Sequence, residues 1–167
     1  MSEIKRYLSW DDVEHLTLHL AQIIQGAQQD YDVLLGIARG GTIPATLLAQ
    51  VLEHGMVLTA HLKRYPKDQT DSEARPQIVA FPPADLLRHK RILLIDEVHD
   101  RGYSMDRAIQ EAERSDPATI HTAVLHFKPG RNQYPNFRPT YFVEQTDDWI
   151  VYPWEVFADK FAAHKLS

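Results

Sequence analysis

The chain contains no cysteine. That excludes disulfides, thiolate zinc sites and cysteine nucleophiles, and it suits a reducing, cytoplasmic setting. No apolar run approaches the roughly 20 residues that span a bilayer. The opening residues MSEIKRYLSWDD also lack the apolar stretch of a secretory signal, so a soluble, cytoplasmic protein without membrane contact is expected. Positive charge is not in excess either. Lys and Arg number 18 against 23 Asp and Glu, a formal charge of −5, which argues against nucleic acid as a partner, since such partners draw basic faces. An anionic ligand must therefore be held by local features. The rest is ordinary globular usage: 167 residues, 44% hydrophobic and 25% charged, enough for one domain with a sizeable core. With no internal repeat, low-complexity tract or linker, residues 1–167 are expected to form a single domain.

Periodicity organises the chain. Ser9 with Asp12 reads as a capping box, and Val13, Leu16, Leu20, Ile23 and Ile24 recur at helical spacing up to Gly26. The run VLLGIA, Val33 to Ala38, is continuously apolar. It meets Arg39-Gly40-Gly41, and TIPATLLAQVLEHG then reads as a helix stopped by Gly55. VLTAHL is a strand, and the polar, proline-flanked stretch Lys63 to Pro76 reads as a long loop that could close over a site. QIVAF returns as a short strand, and ADLL as a helical piece. A second unit follows: strand Ile92 to Ile95, a loop, and a helix from about Gly102 to Arg114. TIHTAVLHF and TYFVE supply two later strands. Alternating strands and helices, with strands apolar on both faces, predict an α/β fold: a Rossmann-like, open, mainly parallel sheet with helices on both faces.

In such sheets ligands bind beyond the carboxyl ends of the strands, where strand order reverses. Both glycine turns fall at strand ends. In RILLIDEVHDRGYSM, the segment Asp100 to Ser104 would bring successive backbone N–H groups together with a helix N-terminus, a cradle for phosphate to which Ser104 adds a hydroxyl. Asp96 and Glu97 would repel phosphate. They suit sugar hydroxyls or a hard cation such as Mg²⁺, so a sugar phosphate would use both halves. Taken singly, these acids could cap a helix or solvate a loop; three acids within five positions after a buried strand weaken that reading.

IDEVHDRGYSM resembles the phosphoribosyl pyrophosphate signature of the type I phosphoribosyltransferases, and LLGIARGGTIPATLLA resembles their pyrophosphate loop and following helix. HFKPGR and WIVYPWE are similar to the base-binding portion of the 6-oxopurine branch, especially the small bacterial xanthine-guanine and hypoxanthine enzymes. The resemblance implies transfer of a 5-phosphoribosyl group from phosphoribosyl pyrophosphate to hypoxanthine, guanine or xanthine in purine salvage, with Mg²⁺ as cofactor and a homodimer or homotetramer as assembly. It also implies a small base-binding hood, built from about residues 128–167 with the N-terminus as an open further contributor.

Carried over by position, Asp96 and Glu97 would hold the ribose hydroxyls, with the metal close by. Arg101, Gly102, Tyr103 and Ser104 would bind the 5′-phosphate with Asp100 beside them, and Arg39 and Gly40 the pyrophosphate, the Arg39–Gly40 peptide being cis or trans. Asp100 would be the general base. Lys128 would bond the purine O6, Trp149 would stack on the base, and Ile150 would contact it through backbone. Trp154 reads as packing, His15 and His19 as a solvated helix face, and His99 has no assigned role. Arg101 and Tyr103 depart from the small or hydroxyl residues common in the phosphate loop, and are tolerable there if their side chains point outward. Val151 stands where the bacterial enzymes carry an acid. Two rival readings stay open: a sensor of phosphoribosyl pyrophosphate or nucleotide without turnover, and a transferase for another base.

Overall fold

A computed structural model describes residues 5–64 and 74–164. Its main sheet has six strands: β2 (Val33–Ala38), β3 (Val57–Arg64), β4 (Pro76–Ala80), β5 (Arg91–His99), β6 (Thr119–Phe127) and β7 (Tyr141–Gln145). Their spatial order is β4-β3-β2-β5-β6-β7, all parallel except the antiparallel edge strand β4. The chain winds outward from β2 in one direction and from β5 in the other. The switch point therefore lies between β2 and β5.

Continuous apolar strands arise because both sheet faces are covered. Leu34, Leu93, Ile95, Ala123 and Leu125 pack against Val13, Leu16, Leu20 and Ile24 of α1 (Trp10–Gly26) and Leu48 of α2 (Thr42–Val51). Their strand neighbours Val33, Leu35, Ile92, Leu94 and Val124 face Leu87 of α3 (Ala84–Leu87) and Met105, Ala108 and Ala112 of α4 (Tyr103–Glu113). Each such Leu or Ile, taken fully out of water, contributes about 1.5–3 kcal/mol. The α1 capping box forms: Ser9 Oγ accepts from the Asp12 N–H at 3.1 Å, and Asp12 Oδ2 accepts from the Ser9 N–H at 2.7 Å.

Several boundaries differ from expectation. Helix α2 ends at Val51, before Gly55, because Glu53 takes a left-handed turn at φ 51°. Strand β5 runs on to His99, so Asp96 and Glu97 lie on a strand and not in a loop. The cause is pairing with β6, through Asp96↔Val124, Val98↔His126 and His99↔Phe127. Pairing with β2 stops at Gly36↔Ile95. Those acids thus open onto the switch-point crevice while β6 holds their backbone. Of the expected loop Lys63 to Pro76, Lys63 and Arg64 end β3, Pro76 starts β4, and residues 65–73 lie outside the described residues.

Three short elements have no periodic signal. β1 (Lys5–Tyr7) and β8 (Trp149–Val151) pair in parallel as a separate two-stranded ribbon, and α5 (Phe157–His164) follows. The ribbon is tied to β7 by Arg6 and Glu144 at 2.6 Å, and Trp154 is stacked on Tyr152 with ring centroids 4.7 Å apart. Trp154 therefore packs, as expected.

Candidate active site

Beyond the carboxyl end of β5 lies a cleft of about 570 Å³. Asp96, Glu97, Asp100, Arg101, Gly102, Tyr103, Ser104, Lys128, Trp149 and Ile150 all line it, so residues separated by more than fifty positions in sequence share one cavity. Arg39 and Gly40 are not part of that lining but form its neighbouring edge. A Cβ placed on Gly40 would overlap the Glu97 carboxylate, and one on Gly41 would come within 2.6 Å of the Ile95 carbonyl and 2.7 Å of the Ile37 carbonyl. At Gly41 glycine is required for close approach of two backbones across the switch point, whereas at Gly40 the neighbour is the Glu97 side chain. The cis peptide bond falls at Ala38–Arg39, one residue before the position at which it was considered.

The geometry of the turn after β5 is set by Gly102 at φ 86°, the left-handed residue that leads into α4. Below it, His99 is buried, its ring stacked on Phe137 at 5.1 Å, with Nε2 donating to Asn132 Oδ1 at 3.1 Å. His99 supports the loop, the role that the sequence left blank. The condition set for Tyr103, an outward-pointing side chain, is not met: it is 5% exposed, edge-on to Tyr134 and covered by the Arg75 guanidinium 3.7 Å from its ring. Its ring is thus held between Tyr134 and Arg75 at the start of α4.

Asp96 and Glu97 stand side by side, with the Glu97 N–H donating to Asp96 Oδ1 at 2.9 Å. Burial, and then the Glu97 charge, hold the Asp96 carboxyl well above the usual carboxylate range. Glu97 Oε2 is buried without a hydrogen-bond partner among the described residues. Two adjacent acids with an unsatisfied oxygen form a hard donor set that suits a divalent cation. No group of three metal-ligating side chains occurs among the described residues, so such a cation would take its other ligands from substrate or water. The pair also costs stability. A carboxyl whose folded pKa is raised favours the folded state only at low pH and disfavours it as pH rises past the unfolded value. Asp96→Asn is therefore expected to raise the melting temperature of the ligand-free protein near neutral pH by about 2–4 °C, roughly 1 kcal/mol for a chain of this size; differential scanning calorimetry at pH 7.5 checks it.

At the other end, Lys128 is only 6% exposed and its N–H donates to the His99 carbonyl at 2.9 Å, which fixes the turn after β6 beside β5. Trp149 is 44% exposed at the ribbon edge, with Lys5 Nζ 6.0 Å from its ring centroid, whereas Ile150 is buried. His15 and His19 lie on the exposed face of α1, as expected.

The cleft also contains residues that sequence reasoning passed over: Arg64, Arg131, Tyr152 and Glu155. Arg64 closes strand β3 at its carboxyl end, in a stretch that the sequence reads as loop. Glu155, four positions after Val151, puts an acid back into the cleft, and its Oε1 accepts from the Tyr152 N–H at 3.1 Å. Tyr152 donates its hydroxyl to the Glu97 carbonyl at 2.8 Å and bonds His126 Nδ1 at 2.7 Å. No local signal announces that pairing.

The family model for the phosphoribosyl transferase domain matches residues 4–160. The chain belongs to the phosphoribosyltransferase family. Within it, the chain is similar to the xanthine-guanine phosphoribosyltransferase of Cereibacter sphaeroides, at 27% identity over 90% of this chain and 86% of the relative. Among solved structures it resembles a purine phosphoribosyltransferase from Pyrococcus horikoshii, with 31% identity, a TM-score of 0.75, and 90% and 94% of the two chains covered. It also resembles a hypothetical protein from Neisseria gonorrhoeae with bound ppGpp, with 27% identity, a TM-score of 0.80, and 99% of each chain covered. The three matches cover 86%, 94% and 99% of those proteins' own lengths.

Proposed function

We propose that the protein transfers the 5-phosphoribosyl group of phosphoribosyl pyrophosphate to a 6-oxopurine, releasing pyrophosphate, as a purine-salvage enzyme of the cytoplasm. The observation that carries this reading is the one cleft that joins an acid pair at the switch point, a phosphate-type loop, and a lysine and indole on the opposite side. Asp96 and Glu97 hold the ribose hydroxyls. The 5′-phosphate sits on the backbone N–H groups of the Arg101 to Ser104 turn at the start of α4, where helix dipole and donors favour an anion. Arg39 and Gly40 take the pyrophosphate, and Gly40 lets the backbone come close.

When bound beside Asp96 and Glu97, Mg²⁺ would supply charge neutralisation on the leaving pyrophosphate. The chain's own residues do the remainder. Lys128 donates to the purine O6, Trp149 stacks on the ring, and Ile150 offers backbone contact. A purine ring nitrogen forms its bond to C1′ as the C1′–oxygen bond to pyrophosphate breaks, the leaving group keeping the electron pair. Asp100 accepts the proton released from the ring. A homodimer or homotetramer is the proposed assembly.

Replacing Lys128 with Met should raise KM for the purine about tenfold or more while KM for phosphoribosyl pyrophosphate stays within about twofold, since only the hydrogen bond to O6 is lost. Equal weakening of both substrates in steady-state kinetics would remove Lys128 from base recognition. A second reading is favoured by the Neisseria gonorrhoeae structure: ligand sensing without turnover, with ppGpp as the ligand in this same cleft. Saturable ppGpp binding together with an absence of turnover on every base would support it.

A further inference from the structure

Arg131 contacts the residue proposed as general base. Its Nε donates to Asp100 Oδ1 at 2.5 Å and its Nη2 to Oδ2 at 3.3 Å, a side-on fork that takes one lone pair on each oxygen. Each carboxylate oxygen has a second lone pair. The fork therefore fixes the plane of the Asp100 carboxylate while leaving an acceptor position for an incoming proton.

The fork is itself held in place. Arg131 sits in a turn after β6, with its N–H donating to the Lys128 carbonyl at 3.3 Å, and the Gly130 N–H donates to Asp147 Oδ1 at 3.0 Å. The next residues grip the phosphate-loop segment one after another. Asn132 Oδ1 accepts from His99, the Gln133 N–H donates to the Arg101 carbonyl at 3.1 Å, and the Tyr134 hydroxyl donates to Asp106 at 2.8 Å. One short turn thus carries Lys128 toward the base site and Arg131 onto the carboxylate.

We infer that Arg131 is a positioning residue for the transfer: it orients the Asp100 carboxylate toward the acceptor purine, as a third group orients the base in nucleophile–base pairs. The inference rests on the reading of Asp100 as the base. Through the shared turn, recognition of the purine by Lys128 and aiming of Asp100 become one rigid event. A misaimed base loses part of the factor that positioned proton transfer supplies, and that factor is about 10²–10⁴.

The test is a double-mutant cycle on the full chain, with saturating Mg²⁺ and the best purine acceptor. Arg131→Met is expected to lower kcat by about 10- to 100-fold with KM for phosphoribosyl pyrophosphate nearly unchanged, and Arg131→Lys to recover part of the loss. In an Asp100→Asn background, Arg131→Met should cost less than about twofold more, because coupled residues are not additive. Full additivity of the two losses would overturn the inference and leave Asp100 as base intact. An Asp100→Asn variant with undiminished kcat would instead remove the underlying reading. Should Arg131→Met fail to fold, as judged by its thermal transition, Arg131→Gln and Arg131→Lys carry the same comparison.

Discussion

Asp100→Asn is expected to lower turnover about 10²- to 10⁴-fold, the usual worth of a positioned general base, with the fold intact. Asn has nearly the same shape, so the backbone turn at Gly102 and the packing of His99 beneath it need not move. It cannot accept the purine proton as a carboxylate does. It also returns only one acceptor oxygen to Arg131, whose Nε and Nη2 both reach Asp100. Stopped-flow or steady-state kinetics with phosphoribosyl pyrophosphate and the preferred purine should show kcat falling while KM for phosphoribosyl pyrophosphate changes little. A rate within about twofold of the wild type would remove Asp100 from the proton-accepting role.

The second large effect is expected at Gly40. A Cβ there would overlap the Glu97 carboxylate, so Gly40→Ala forces either the loop after β2 or the Glu97 side chain to shift. Both flank the place assigned to ribose and pyrophosphate. A displacement near 1 Å of positioning groups costs on the order of 10²-fold, and the loss should appear in kcat/KM for phosphoribosyl pyrophosphate more than in the affinity for the purine. Gly55→Ala is the matched control, since a Cβ there meets nothing within 4 Å. Equal kinetics for the two variants would mean that the close approach of Gly40 and Glu97 has no part in substrate binding.

What the sequence disclosed follows from which interactions are local. Val33–Ala38 was readable to the residue because a strand buried on both faces is continuously apolar, and Thr119–Phe127 because its β-branched and apolar residues run unbroken by glycine or proline. The Ser9–Asp12 capping box was readable because its partners are three residues apart. The extension of β5 through Asp96 and Glu97 was not. Charged residues read as loop, yet pairing with β6 keeps them extended, and this is how the acids come to face the crevice. β1 and β8 are three residues each, too short for a period, and exist only because each pairs with the other.

The site divides the same way. Asp96 to Ser104 is contiguous in sequence, so its gathering at one strand end could be inferred from spacing. Lys128, Trp149 and Ile150 entered only through likeness to a family, and the fold brings them to the same cleft. Arg131 on Asp100 and Tyr152 on the Glu97 carbonyl depend on contacts across 31 and 55 positions, and a single sequence carries no local mark of either. The inward packing of Tyr103 was not legible because its partners Arg75 and Tyr134 are likewise distant in sequence.

The most direct measurement is product formation from phosphoribosyl pyrophosphate and Mg²⁺ with hypoxanthine, guanine, xanthine, adenine and uracil offered in parallel, following nucleotide and pyrophosphate together. Equimolar nucleotide and pyrophosphate with at least one 6-oxopurine, and little or none with adenine or uracil, is the expected result. No product with any 6-oxopurine, from protein that still binds phosphoribosyl pyrophosphate, would contradict it.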